Sequence, residues 1–277
     1  MPMDAELTSF VVRAIGPCRL ERDRSWEHGG AQVLQLRDAA GVPWFVKRQA
    51  RAELYERERT AYQRWVPALG DRAPALRAHD DKLGVLLLSA VPGALDYAAG
   101  AEVHHEAGSV LRRLHEAEEL PVWNDFAAVK LAELESWTDQ AAGLLDAAEL
   151  DFARGSLRAL EGIPAPARVP CHLDYTPRNW LISDAGRVHV IDFEWVTPEV
   201  WVNDLARLYY GYWRGRPDLR AAFLDGYGRT PTDDELAIMR GSYALSAVWM
   251  IVWAHEHGEL AFETGLRDNL RTLRQEA

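Results

Sequence analysis

His172, Asp174, Asn179 and Asp192 are the residues whose types and spacing admit chemistry. His172-Leu173-Asp174 is followed, five residues after the aspartate, by Asn179, and Asp192 closes an apolar run at Val188–Ile191. A carboxylate and an amide carbonyl are oxygen ligands of the kind a hard cation such as magnesium takes. A further carboxylate, left off the metal, suits the proton of an attacking hydroxyl. Together they match the demands of phosphoryl transfer, where a protein must position nucleotide, cation and hydroxyl and has little covalent work of its own.

Those side chains need a scaffold that brings a loop and a strand end together. A strand at Arg168–Cys171 is expected to enter the polar loop, which is rich in turn formers. Two apolar runs, Trp180–Ile182 and Val188–Ile191, are separated by Ser183-Asp184-Ala185-Gly186 and read as a hairpin. The hairpin returns Asp192 to the loop that carries Asp174 and Asn179.

His172-Leu173-Asp174…Asn179 followed by Ile191-Asp192-Phe193-Glu194 resembles the aminoglycoside phosphotransferase and choline kinase-like branch of the protein kinase-like superfamily. The resemblance implies an α+β, two-lobed kinase-like fold. A small antiparallel-sheet lobe would span residues 1–92, with a hinge at its end, and a larger, mainly helical lobe residues 93–277. It implies Asp174 as catalytic base with His172 beside it, Asn179 and Asp192 as Mg2+ ligands, and ATP or GTP as co-substrate. The γ-phosphate would pass to a hydroxyl of a small molecule. Two departures stand out: Leu173 occupies a position that is usually glycine in this branch, and Arg178 precedes the asparagine. Both alter the floor of the acceptor site without removing a functional group.

Upstream, residues to about Thr8 read as a frayed end or an edge helix. Cys18–Arg24 and Ala31–Arg37 read as antiparallel strands joined by Ser25-Trp26-Glu27-His28-Gly29-Gly30. That connection would cover a triphosphate, with Ser25 and backbone N–H groups reaching phosphate oxygens; a plain hairpin turn is the alternative. Trp44-Phe45-Val46-Lys47 places a lysine at the end of an apolar strand, and a helix from about Arg51 to Trp65 follows. By resemblance Lys47 bridges nucleotide phosphates and a helix glutamate, Glu58 by preference and Glu56 as runner-up; a solvated face of ion pairs with Arg57, Arg59 and Arg64 is the alternative. Leu83–Leu88 reads as a buried strand running into Ser89-Ala90-Val91-Pro92-Gly93, where Pro-Gly ends regular structure. By resemblance the backbone of Ser89 to Val91 would hold the purine edge.

Downstream, Ala101–Glu119 has helical periodicity through Val103, Ala107, Val110, Leu111 and Leu114. His115 reads as a structural histidine, and His104 and His105 as surface residues. One helical region is expected over Ala127–Leu160. Asp204 resembles the residue that braces the catalytic loop from behind, or is a helix N-terminal carboxylate. Thr232–Ala277 reads as two long helices broken near Gly258. Trp249, Trp253 and Glu256 share one helix face. Trp253 with Glu256 or Glu259 can cradle an ammonium, and core packing is the alternative. Glu194 is placed near the metal or the acceptor.

Residues 1–92 carry a net charge of +2 and residues 93–277 one of −13. A field of that sign repels nucleic acid and draws cations, so the expected partner is a small cationic hydroxyl-bearing substrate. An aminoglycoside or related antibiotic comes first; a choline, homoserine or amino-sugar acceptor is the alternative, and a nucleotide-binding pseudokinase the second. No bilayer-spanning stretch and no signal peptide is read, and no obligate protein partner is evident. Cys18 and Cys171 match no metal spacing and read as reduced thiols of a cytoplasmic protein. No Ala-Pro-Glu segment follows Asp-Phe-Glu, which sets the chain apart from protein kinases proper.

Overall fold

The computed structural model describes residues 3–26 and 30–275. Helix α1 (Ala5–Ile15) comes first, followed by β1 (Cys18–Asp23), β2 (Ala31–Asp38), β3 (Pro43–Gln49), α2 (Ala52–Arg64), β4 (Leu76–Asp80) and β5 (Val85–Ser89). The five strands form one antiparallel sheet in the order β1-β2-β3-β5-β4.

Alternation along the strands separates the two faces of this sheet. Leu34, Leu36, Val46, Val85 and Leu87 point to one side, where Leu7, Phe10 and Val11 of α1 cover them. The N-terminal segment is therefore a packed helix, longer than its first residues suggested; Asp4 caps it by accepting from Leu7 N–H at 2.8 Å. Lys47, Gln49 and Leu86 take the other face, toward α2 and the rest of the chain. Strand β4 carries no apolar run and had no signature in the sequence.

The remainder is mainly helical. A two-residue strand, β6 (Ala94–Leu95), precedes α3 (Ala101–His115), α4 (Phe126–Ala141) and α5 (Ala147–Arg158). Then come β7 (Val169–Cys171), β8 (Trp180–Ile182), β9 (Val188–Val190) and β10 (Thr197–Glu199), and finally α6 (Pro217–Tyr227), α7 (Asp233–Glu256) and α8 (Leu260–Gln275). The expected hairpin is β8–β9, with β6 added to its edge, and β7 pairs with β10. Gly93 lets β6 join: a Cβ there would lie 2.7 Å from the Ile182 carbonyl carbon.

Three expectations are corrected. The helical region over Ala127–Leu160 is two helices, α4 and α5. Gly143 turns the chain at φ 83°, and Asp146 and Glu149 form a capping box that starts α5. His104 is buried, 2% exposed, rather than on the surface. It lies three and seven residues before Ala107 and Leu111, so the buried face of α3 is wider than its aliphatic residues show, and its ring meets the Trp180 edge at 5.3 Å. His105 does face outward, 3.3 Å from Asp225. Lastly, α7 is long and apolar enough to cross a bilayer, with a mean hydropathy of 1.4 over its apolar window. Here it is the central core helix, packed by α4, α5 and α8.

Candidate active site

Lys47 is the hub of the sheet side. Its Nζ lies 2.6 Å from Asp192 Oδ1, 3.0 Å from Glu58 Oε1 and 3.0 Å from Glu194 Oε2, at 7% exposure. Glu58 is thus the helix glutamate that meets the lysine, whereas Glu56 pairs with Arg59 at the solvent side. Gln49 joins the cluster, donating from Nε2 to Glu58 at 3.1 Å and to Glu194 at 2.8 Å. Sequence reasoning missed Gln49, though the two-residue period of β3 puts it on the face of Lys47. Burial pushes the Glu58 carboxyl up to about 7, against the pull of Lys47. Burial also opposes the Lys47 charge, yet Asp192, Glu58 and Glu194 outweigh it and hold its pKa well above the ordinary value. Glu194 therefore belongs with the lysine and not with the C-terminal helices, because one residue beyond Phe193 the chain is still turned toward the sheet.

The loop after β7 is held from behind. Asp204, buried in a 3-10 segment at Trp201–Leu205, accepts the backbone N–H groups of His172 (2.8 Å) and Leu173. It also meets His115 Nε2 at 2.8 Å, and His115 Nδ1 faces the Tyr227 hydroxyl at 2.8 Å. His115, Cys171 and Asp204 place ligand atoms within 4.8 Å of one another. Both His115 nitrogens are already spent on hydrogen bonds, so this set is a brace. Leu173 sits at φ 59°, the left-handed region where the branch's usual glycine would be at ease. His172, grouped with the base in the sequence, is fully buried. Its ring spans Asp174 N–H (3.3 Å) and Ile191 C=O (3.1 Å) and packs on Phe193, so it shapes the loop from within.

Asp174 is 2% exposed and heavily engaged. Its Oδ2 accepts from Arg178 Nε at 3.0 Å and Nη2, and from Asn179 Nδ2 at 2.8 Å; its Oδ1 accepts from Arg207 Nη1. Arg207 went unnoticed in the sequence, although three residues after Asp204 on a helical turn it shares that residue's face. Asn179 Nδ2 also donates to the Asp174 carbonyl at 2.9 Å, which leaves its amide oxygen for another ligand.

The donor set fits a hard divalent cation. Asp192 and Glu194, with Glu58 behind them, outnumber the single ammonium of Lys47, and the Asn179 oxygen completes an oxygen-only set. Asp192 stands at φ 68°, a strained backbone that turns its carboxylate back toward Lys47.

Other expected residues are placed differently. Ser25 Oγ accepts from Val33 N–H at 2.9 Å and closes the β1–β2 hairpin; Glu27, His28 and Gly29 of that connection lie outside the described residues. The Ser89 N–H donates to the Ala75 carbonyl at 2.9 Å and its Oγ accepts from the Ala75 N–H at 2.8 Å. Of the backbone expected to hold the purine edge, this leaves the Ser89 carbonyl, Ala90 and half-buried Val91. Trp253 stacks on His257 at 4.3 Å and reaches Trp26 of the sheet side at 6.2 Å, with Glu256 exposed and Glu259 half-buried nearby. Trp249 packs against Trp195, over which the Arg51 and Arg57 guanidiniums lie at 5.8 and 5.5 Å. Among the described contacts none joins Trp253, Glu256 or Glu259 to Asp174.

A buried pair of a sheet lysine and a helix glutamate, facing an aspartate–asparagine–aspartate set on a helical lobe, defines a protein kinase-like phosphotransferase. The chain belongs to the phosphotransferase enzyme family, whose model matches residues 27–240. It is accordingly a phosphotransferase enzyme. Comparison with curated protein sequences gave no match. Among solved structures, a thermostable mutant of aminoglycoside phosphotransferase APH(4)-Ia is similar at a TM-score of 0.73 and 16% identity, over 97% of this chain and 99% of that one. Choline kinase LicA from Streptococcus pneumoniae is similar at 0.68 and 16%, over 96% and 98%. Spectinomycin phosphotransferase APH(9)-Ia, in complex with ADP and spectinomycin, is similar at 0.66 and 14%, over 99% and 98%. At such identities the likeness is one of fold.

Proposed function

We propose that the protein transfers the γ-phosphate of ATP or GTP to a hydroxyl of a small molecule, with Asp174 as base. The observation that carries this reading is the convergence of three separate segments of the chain: Lys47 on its strand, the loop with Asp174 and Asn179, and Asp192 beside Ile191, whose N–H donates to the Asn179 carbonyl at 3.1 Å. Asn179 and Asp192 would hold Mg2+, which supplies charge neutralisation to the nucleotide phosphates when bound. Lys47, ordered by Glu58 at 3.0 Å, would lend its charge to the phosphates from its place beside Asp192. The acceptor hydroxyl gives its proton to Asp174 as the new O–P bond forms. The bond from Pγ to the β-phosphate oxygen breaks, and its electron pair leaves with the diphosphate.

A cationic acceptor of the aminoglycoside or basic-antibiotic type is the reading favoured by the charge of −13 on residues 93–277 and by exposed Glu256, three residues after half-buried Trp253 on the same helix. That solved relatives hold hygromycin B or spectinomycin supports it. Choline kinase LicA keeps the small-metabolite alternative in view. The complete set of catalytic side chains speaks against a pseudokinase.

The test has two stages. A Mg2+-dependent thermal shift with ATP and with GTP is expected to show nucleotide binding and its preference. Nucleoside diphosphate release is then measured across aminoglycosides, basic peptide antibiotics, choline, homoserine and amino sugars. Turnover with choline and none with any antibiotic would reverse the ranking of acceptors.

A further inference from the structure

Arg178 has no part in the scheme above, yet it contacts the base directly. It lies in the 3-10 turn Pro177–Asn179, between the base and the metal-side asparagine in sequence. Its guanidinium forks onto Asp174 Oδ2 through Nε and Nη2. Asp192 also acts electrostatically on it, and it on Asp192. Its side chain is 44% exposed, while that of Asp174 beneath it is 2% exposed. A half-exposed cation therefore sits directly on the base, within electrostatic reach of the metal-side carboxylate.

Counting donors and acceptors gives it a task. The Nζ of Lys47 is committed to Asp192, Glu58 and Glu194, on the sheet side. Arg178 spends one edge of its fork on Asp174, and among the described residues nothing takes the rest. On Asp174, Oδ2 already holds Arg178 and Asn179, whereas Oδ1 holds Arg207 alone. A carboxylate oxygen can accept about two hydrogen bonds, so an incoming hydroxyl finds its place on Oδ1. During transfer, negative charge spreads over the equatorial oxygens of the phosphoryl group, in line between that hydroxyl and the leaving diphosphate.

We infer that Arg178 is a catalytic residue: its free N–H groups donate to the transferring γ-phosphoryl oxygens, while its bonded edge fixes Asp174 Oδ1 as the oxygen that takes the acceptor proton. The inference rests on the phosphotransferase reading and adds to it a cation on the acceptor side of the phosphoryl group. A guanidinium suits this place because its planar fork can serve a carboxylate and a phosphoryl oxygen at once, which an ammonium cannot.

The experiment uses the full chain with Arg178→Gln and Arg178→Lys. The first readout is binding of MgADP with and without aluminium fluoride, which mimics the phosphoryl group in flight; the second is hydrolysis of MgATP with water as acceptor. Wild type is expected to bind the fluoride complex more tightly than MgADP alone. Arg178→Gln should lose about tenfold or more of that gain and about a hundredfold in kcat, with MgADP affinity held. Arg178→Lys should restore part of both, and it carries the test if Arg178→Gln fails to fold. Hydrolysis that falls without any loss of the fluoride gain would make Arg178 a positioning residue for Asp174 and overturn the contact. Wild-type behaviour of Arg178→Gln in both readouts would overturn the assignment alone. A wild-type chain that neither binds MgADP nor hydrolyses ATP would overturn the phosphotransferase reading, and this inference with it.

Discussion

Lys47 and Asp192 stand 145 residues apart in the chain, and their charged atoms meet at 2.6 Å. The contact joins the third strand of the sheet to the end of the β8–β9 hairpin, so the two parts of the molecule share one ionic cluster, buried at Lys47 and Glu58 and half-buried at Asp192 and Glu194. Removing one partner of such a cluster leaves the others desolvated and unpaired, which costs about 3 kcal/mol or more.

Lys47→Met is therefore expected to lower stability by roughly that amount and to weaken nucleotide binding. Urea unfolding and nucleotide titration measure the two effects. Glu58→Gln should be milder, since burial already pushes Glu58 toward its neutral form and an amide can still accept from Lys47. An unfolding midpoint for Lys47→Met equal to that of wild type would contradict the buried cluster.

Asp174→Asn tests the base directly. The amide keeps the size of the side chain but cannot take the acceptor proton, so turnover should fall by about a thousandfold with nucleotide affinity within about threefold of wild type. Its loss also frees Arg178 and Arg207 from their shared carboxylate. Near-normal turnover in this variant would remove Asp174 from the role.

The loop behind the base supplies a paired test. Asp204→Ala strips the acceptor from the buried His172 N–H, the half-buried Leu173 N–H and buried His115, and should cost about 3 kcal/mol. Leu173→Gly acts in the opposite sense. Leu173 holds φ 59°, which disfavours a side chain by about 1–2 kcal/mol, and the added freedom of glycine in the unfolded chain returns part of that. The expected result is an unchanged or slightly raised unfolding midpoint, and a large loss would show that Leu173 packs the acceptor floor.

His104 predicts a pH dependence. Burial lowers its pKa from 6.5, with the Gly100 carbonyl opposing. Below about pH 6.5 the unfolded chain takes up a proton that the folded chain resists, so the stability linked to this group is present above that pH and declines as pH falls toward the folded value. His104→Phe should flatten the slope of stability below about pH 6.5, read from unfolding midpoints in buffers of equal ionic strength. An unchanged slope would place the acid limb on other groups.

The catalytic stretch could be read from sequence because it is local. His172 to Asn179 is one loop, β8–β9 is one hairpin, and their order along the chain is itself the signature of the chemistry. Lys47 and its helix were legible for the same reason: an apolar strand and an amphipathic helix announce themselves by period. What was lost depended on neighbours far along the chain. Glu194 is left between metal and acceptor by the sequence because residue order does not say which way a side chain turns after a residue at positive φ such as Asp192. Ser89 was offered to the nucleotide because its bonds to Ala75 come from a strand pairing with no pattern of its own.

Residue types and spacing by themselves fixed the chemistry and the fold class, since phosphoryl transfer needs particular oxygen donors at particular points of two short segments. Only the folded chain decided what surrounds them: that Glu58, not Glu56, meets Lys47, that His104 is interior, and that Arg178 and Arg207 close on Asp174. The reason is physical. Periodicity reports which face of an element is apolar, but the partner of a charged group is set by the packing of distant elements, where burial makes each unpaired charge too costly to leave alone.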